Sequence, residues 1–275
     1  MPLDGGALVG HRGGEGPPAL LLHGGPAVPD YMGACAELLA DRLDCVRYTQ
    51  RGVAPSVELP PYTIETHVDD AIRVLDTLEI ERAWVVGHSW GGHLALHLLA
   101  THPERVLALV CVAPLGAYGE IFQPFGENLR RKLTPDEVAR VDEIEARRRG
   151  GEATADELME RAMLIWPAYF VDPAVAARNT PERVGLDCST ETNRSISDHH
   201  AARTLVDRLP RAPERRALFV HGADDPLPAE SSLETAKLIP NARVVTIDGS
   251  GHFPWLECPG AFRDAVVDFV DRPTS

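Results

Sequence analysis

Positive charge is scarce in this chain. It carries 27 lysines and arginines against 41 aspartates and glutamates, a formal net charge of −14. That balance excludes nucleic acid as an expected partner, because phosphate binding rests on clustered Lys and Arg. The excess acid reads as a solvated surface. Lysine itself is nearly missing, at two of the 27 basic residues, which points to base composition of the gene more than to function. Long apolar runs are missing too. None approaches the roughly 20 residues that span a bilayer, so no membrane segment is expected. The opening residues, Met1-Pro2-Leu3-Asp4-Gly5-Gly6, have neither a basic n-region nor an apolar h-region, so no signal peptide is expected. The five cysteines, Cys35, Cys45, Cys111, Cys188 and Cys258, form an odd, scattered set without a Cys-x-x-Cys pair. They read as reduced thiols of a cytoplasmic protein and exclude a disulfide framework.

What is present is the composition of a globular protein, with 44% hydrophobic and 25% charged residues over 275 positions. That length holds one α/β domain with an insertion. The most informative stretch is Gly87-His88-Ser89-Trp90-Gly91. A short apolar strand, Arg82 to Val86, precedes it, and a helical pattern, Gly92 to Ala100, follows. A strand that turns sharply into a helix at a serine is a nucleophile elbow. Glycine on both sides keeps the tight turn free of side chains. The helix N-terminus then faces the serine and favours negative charge developing beside it.

A serine hydroxyl needs a base. Two further strands end in candidates. Arg216 to Gly222 is followed by Ala223-Asp224-Asp225-Pro226, and Ala242 to Ile247 by Asp248-Gly249-Ser250-Gly251-His252-Phe253. Loops past the carboxyl ends of parallel strands share one edge of a sheet, where ligands bind in open α/β folds. Either aspartate meets that condition.

On these motifs the chain resembles the α/β-hydrolase superfamily over nearly its whole length apart from the middle. The resemblance implies an α/β fold, a mostly parallel sheet flanked by helices with a helical lid insertion. It implies Asp225 as the acid, three residues after Gly222, with Asp224 as the fallback. His252 matches the histidine of the family's Gly-His-x-x-x-x-Glu-x-Pro segment. The oxyanion donors map to the backbone N–H groups of Gly25, in the strand-end turn His23-Gly24-Gly25-Pro26, and of Trp90.

Strands and helices alternate at both ends of the chain, as a parallel sheet covered on two faces requires. Cys45 to Thr49 and Val106 to Val112 read as strands. Val68, Ile72, Leu75 and Leu78 give Thr66 to Leu78 a helical period. From 115 to 208 strand signals vanish. Thr134-Pro135-Asp136-Glu137 and Thr154-Ala155-Asp156-Glu157 are capping boxes that start helices reaching Arg149 and Trp166. The expected organisation is a core of 1–114 and 209–275 with a lid of 115–208 that buries substrate. Trp166, Tyr169, Phe122 and Phe253 are the pocket candidates. Each serves equally as packing, as do Tyr118, Phe125 and Phe170. His93 and His97 stand one helical turn apart, but no glutamate follows His93 as a zinc peptidase helix requires, so no metal is expected.

The expected chemistry is attack of Ser89 on a carbonyl, with His252 as base, Asp225 orienting it, and an acyl-enzyme released by water. No cofactor is implied. The partner is a small molecule or short peptide. Within the superfamily, His23-Gly24-Gly25-Pro26, Gln50-Arg51-Gly52 and Gly87 to Gly92 most resemble the proline iminopeptidase branch. Thr49 replaces that branch's Asp, and Trp166 is followed by proline where a Trp-Glu pair is usual. Glu191, Asp187 and Asp198 are the acids left to hold a substrate ammonium. Hydrolysis of a small ester, lactone or amide therefore ranks first, an N-terminal prolyl peptidase second, and C–C hydrolysis or acyl transfer third. A ligand receptor with an idle triad is the alternative of another class.

Overall fold

The computed structural model describes residues 1–3 and 5–272. A two-stranded ribbon, β1 (Pro2–Leu3) and β2 (Gly6–Ala7), precedes a seven-stranded sheet. The sheet strands are β3 (Gly10–Gly13), β4 (Pro18–Leu22), β5 (Asp44–Tyr48), β6 (Ala83–His88), β7 (Val106–Val112), β8 (Arg216–Gly222) and β9 (Arg243–Ile247), in the order β3-β5-β4-β6-β7-β8-β9. Only the β3–β5 pair of this sheet is antiparallel.

The central strands are apolar without alternation because both faces are covered. Leu20, Leu22, Val85, Leu109 and Phe219 point into one core, with α2 (Ile64–Thr77), α3 (Trp90–Thr101) and α10 (Glu230–Ala236). Leu21, Val86, Val110 and Val220 point into the other, with α1 (Gly33–Leu39), α11 (Pro254–Glu257) and α12 (Pro259–Asp271). β3 escapes sequence reading because Gly10-His11-Arg12-Gly13 is an exposed edge with no apolar residue to pack. α2 begins two residues before the expected Thr66, since Thr63 caps it by accepting the Thr66 N–H.

Between β7 and β8 the chain is helical: α4 (Phe122–Arg131), α5 (Pro135–Arg149), α6 (Ala155–Ile165), α7 (Pro173–Arg178), α8 (Leu186–Ala201) and α9 (Thr204–Arg208). Thr134 and Thr154 both close the capping boxes read from the sequence. α6 stops at Ile165, and Trp166–Tyr169 continue as a 3-10 turn.

The strand order also locates the ligand edge. β4 leads through α1 outward to β5, whereas β6 leads through α3 to β7 on the other side. Adjacent β4 and β6 thus send their connections in opposite directions, and a crevice opens between their carboxyl ends. Those ends are His23-Gly24-Gly25 and His88-Ser89.

Candidate active site

Ser89 holds φ 54° and ψ −116° at the junction of β6 and α3. That conformation costs a non-glycine residue about 1–3 kcal/mol and persists only where neighbours enforce it. They do so here by close approach. A Cβ on Gly87 would overlap the Gly91 carbonyl, and one on Gly91 the Leu22 carbonyl. The Ser89 N–H donates to the Val112 carbonyl at 2.9 Å, and its own carbonyl accepts from His93 at 3.1 Å and Leu115 at 3.2 Å. The elbow is thereby tied to the end of β7.

Asp225 lies three residues past the end of β8, its side chain fully buried. One carboxylate oxygen accepts the Leu227 N–H at 2.8 Å. The two oxygens lie 3.0 and 2.9 Å from His252 Nδ1, which donates to them. Asp224 is exposed, and its backbone alone is engaged: its N–H donates to the Ser250 carbonyl at 3.0 Å and its carbonyl accepts from Lys132 Nζ at 3.3 Å. The structure thus pairs His252 with Asp225 and leaves Asp224 outside. His252 Nε2 and the Ser89 hydroxyl carry no hydrogen bond among the described residues, so the Ser89–His252 bond is not formed in this structure. Both residues are covered, Ser89 at 8% exposure and His252 at 3%.

The loop after β4 presses against the elbow. A Cβ on Gly24 would come within 2.9 Å of Ser89 Cβ. Gly25 has φ 121°, open to glycine and not to L side chains. The N–H of Gly24 is occupied, donating to the Tyr31 hydroxyl at 2.7 Å. No carbonyl among the described residues accepts from the N–H of Gly25 or Trp90. Two sequence-read donors are therefore available at the crevice.

Polar residues that the sequence reading did not single out hold these parts. Gln50 donates its side-chain N–H to the His23 carbonyl at 2.8 Å and accepts the Trp90 indole N–H at 2.8 Å, while its backbone N–H donates to His23 Nε2 at 2.9 Å. His23 Nδ1–H consequently donates to the Gly24 carbonyl, at 2.8 Å. Arg51 grips Asp70 with two bonds of 2.5 and 2.7 Å. Gln50-Arg51-Gly52 is thus a brace for the β4 loop. Glu257 accepts the N–H groups of Gly251 at 2.7 Å, Val171 at 2.7 Å and Asp172 at 3.0 Å. It ties the His252 loop to the helical segment. His88 donates from Nε2 to the His252 carbonyl at 2.8 Å and accepts at Nδ1 from the Tyr31 hydroxyl at 2.6 Å. Burial, and then the adjacent His252, hold the His88 imidazole well below its usual range, so it is neutral.

Four pocket candidates separate. The Tyr169 ring lies 5.1 Å from that of His252, and burial pushes its hydroxyl up to about 12. Phe253 is buried and stacks on Phe170 at 4.8 Å; Trp166 packs beside it at 5.1 Å and donates its indole N–H to Ala176. Phe122 is 36% exposed and rests on His200. Of the acids weighed for an ammonium, Asp187 and Asp198 are exposed, and Glu191 accepts the Tyr62 N–H at 3.0 Å. Among the described residues no group of three His, Cys, Asp or Glu side chains is arranged to hold a metal ion. Among the described residues no helix is long and apolar enough to cross a membrane.

Comparison with known proteins gives a consistent picture. Residues 17–259 match a family model described as the alpha/beta hydrolase fold. The 2-hydroxymuconate semialdehyde hydrolase of Pseudomonas putida is 30% identical, over 94% of this chain and 89% of its own. The proline iminopeptidase of Elizabethkingia meningoseptica is 22% identical, over 91% and 88%. The crystal structure of a hydrolase from Pseudomonas aeruginosa superposes with a TM-score of 0.73 at 25% identity, covering 98% of this chain and 96% of that one.

Proposed function

The chain belongs to the α/β-hydrolase family, and we propose that this hydrolase works through a Ser89-His252-Asp225 triad on an ester, lactone or amide of a small molecule. One observation carries the reading: a buried carboxylate held at 2.9 Å from the imidazole of a loop that shares the sheet edge with a strained serine. Asp225 keeps the proton on Nδ1 and leaves Nε2 as the basic nitrogen. The Ser89 hydroxyl rotates to Nε2 as a substrate carbonyl enters, since such bonds tighten in the substrate complex. Ser89 Oγ attacks the carbonyl carbon, and its proton passes to His252. The carbonyl oxygen becomes an oxyanion facing the Gly25 and Trp90 N–H groups. Such preorganised donors are each worth roughly 3–4 kcal/mol in the transition state. His252 returns the proton to the leaving alcohol or amine. Water, deprotonated by the same nitrogen, then frees the acid. The helical segment, 115–208, acts as the lid that keeps bulk water from Ser89.

A second reading has its own support: the identity to the 2-hydroxymuconate semialdehyde hydrolase over 94% of the chain favours hydrolysis of a similar semialdehyde on the same residues. The prolyl peptidase reading ranks below it, because the acids weighed for the substrate ammonium are exposed or engaged. Turnover of p-nitrophenyl butyrate, 2-hydroxymuconate semialdehyde and prolyl-p-nitroanilide, compared by kcat/KM, tests the ranking. The ester is expected to lead. Faster prolyl anilide turnover overturns the order, and no turnover of any carbonyl substrate favours the receptor alternative.

A further inference from the structure

We propose that His88 and Tyr31 are positioning residues that hold the oxyanion loop and the catalytic histidine in register through one continuous hydrogen-bonded chain. The inference rests on the triad reading and adds residues that it does not use. The chain starts at the Gly24 N–H, which donates to Tyr31 Oη at 2.7 Å. The Tyr31 hydroxyl proton goes to His88 Nδ1 at 2.6 Å, and His88 Nε2–H goes to the His252 carbonyl at 2.8 Å. Its two ends therefore sit on the residue before the oxyanion donor Gly25 and on the backbone of His252. Its middle is the residue before Ser89. Four residues, successively 7, 57 and 164 positions apart, are linked by three bonds.

The surroundings argue for a positioning role. His88 is fully buried, with Phe253 at 4.8 Å, Trp255 at 4.7 Å and Tyr31 at 5.6 Å by ring centroids. The Tyr31 ring also stacks parallel to Trp255. An apolar side chain would fill that space without any polar requirement, whereas a buried polar chain is costly unless every member is satisfied. Here every member is: Tyr31 gives one bond and takes one, and both His88 nitrogens are used. The direction of the chain is also set. The His252 carbonyl can only accept and the Gly24 N–H can only donate, so His88 must carry its proton on Nε2. A displacement of the Gly24-Gly25 loop is thereby transmitted to the His252 backbone through rigid rings.

The experiment uses Tyr31→Phe, His88→Asn, His88→Gln and the double variant Tyr31→Phe/His88→Asn. Active sites are counted with a fluorophosphonate, and p-nitrophenyl butyrate turnover is expressed per counted site. Tyr31→Phe is expected to lower kcat about tenfold with KM within about twofold, the size of a lost buried hydrogen bond felt in the transition state. His88→Asn, which cannot reach the His252 carbonyl, is expected to lose more. His88→Gln, whose amide nitrogen reaches the place of Nε2 but which leaves the Tyr31 hydroxyl without its acceptor, is expected to recover to the level of Tyr31→Phe. The double variant is expected to fall no further than His88→Asn, because one break interrupts the chain. Unchanged kcat per site in Tyr31→Phe and His88→Asn, or losses that multiply in the double variant, would overturn the proposal. If His88→Asn does not fold, Tyr31→Phe and His88→Gln decide it on the same criteria. Histidine ¹H–¹⁵N NMR reads the chain without turnover. It is expected to show His88 as the neutral Nε2–H form and to show the His252 ring resonances displaced in Tyr31→Phe; unmoved His252 resonances contradict the coupling. A wild type that neither labels nor turns over would sink the triad reading instead, and the NMR result would still judge the chain.

Discussion

The carbonyl of Tyr169 accepts the backbone N–H of His252 at 2.8 Å. Gly251 makes the approach possible, since a Cβ there would overlap that same carbonyl. The helical segment is therefore bonded directly to the imidazole-bearing loop, and Glu257 repeats the connection through Gly251, Val171 and Asp172. Asn128 of α4 and Lys132, just past its end, reach the neighbouring loop, on the carbonyls of Pro226 and Asp224. The segment between β7 and β8 is joined to the backbone beside both members of the His–Asp pair.

Glu257→Gln should loosen that junction. One carboxylate oxygen becomes an amide that presents N–H to backbone N–H. Loss of such a charge-assisted acceptor costs about 1–3 kcal/mol. Calorimetry should record a Tm several degrees lower, and ester turnover should fall with it. An unchanged Tm contradicts the assignment of Glu257 as the tie.

Asp225 and Asp224 are adjacent, yet only the first faces His252. Asp225→Asn should reduce kcat by about three to four orders of magnitude, because an amide does not hold Nδ1 as the donor. Asp224→Asn, at an exposed position, should stay within about twofold of wild type. Equal losses in the two variants would contradict the pairing.

Acid should destabilise the fold through its buried imidazoles. Burial lowers His67 and His93 from 6.5 to about 3. His88 and His97 are lowered well below 6.5 for the same reason. The unfolded chain binds these protons first as pH drops. Each group's contribution is thus complete above pH 6.5 and is lost as pH falls below it, for His67 and His93 down toward about 3, with a slope of up to about 1.4 kcal/mol per pH unit for each group. Urea midpoints measured at pH 7.5, 5.5 and 4.5 should fall in that order, and His93→Gln should flatten the trend. Equal midpoints would contradict the burial of neutral imidazoles.

Gly91→Ala tests the elbow itself. The new methyl meets the Leu22 backbone, which cannot move without opening β4 from β6. Overpacking against backbone typically costs about 1–3 kcal/mol, occasionally more. A soluble variant with wild-type Tm and turnover would contradict the packing described.

Most of the sheet was legible in the sequence because strands covered on both faces must be apolar throughout, as in Val106 to Val112. α5 and α6 were legible because Thr-x-x-Glu caps announce their first turns. β3 was not, since an exposed edge of glycine, histidine and arginine has no pattern to read. α8 was not assigned either. It docks through polar contacts, Ser195 with the Ile64 N–H and Thr192 with the Tyr62 carbonyl, in place of an apolar stripe. Ser89 stood out as a candidate through the strand-elbow-helix spacing around it, whereas Asp225 and His252 were candidates through the family resemblance, since strand-end spacing left Asp224 and Asp225 equal. His88, Tyr31 and Gln50 act through partners far along the chain, and a single sequence carries no sign of such pairings. Gln50 and Glu257 stood inside quoted motifs, which marked their positions and not their bonds.

The central claim is that Ser89 is a nucleophile made reactive by His252. Labelling with a fluorophosphonate, followed by mass spectrometry of the digested protein, tests it most directly. The expected result is one adduct on the peptide containing Ser89, abolished in Ser89→Ala and strongly slowed in His252→Ala. An adduct on a different residue, or an intact wild-type protein that stays unlabelled, would contradict it.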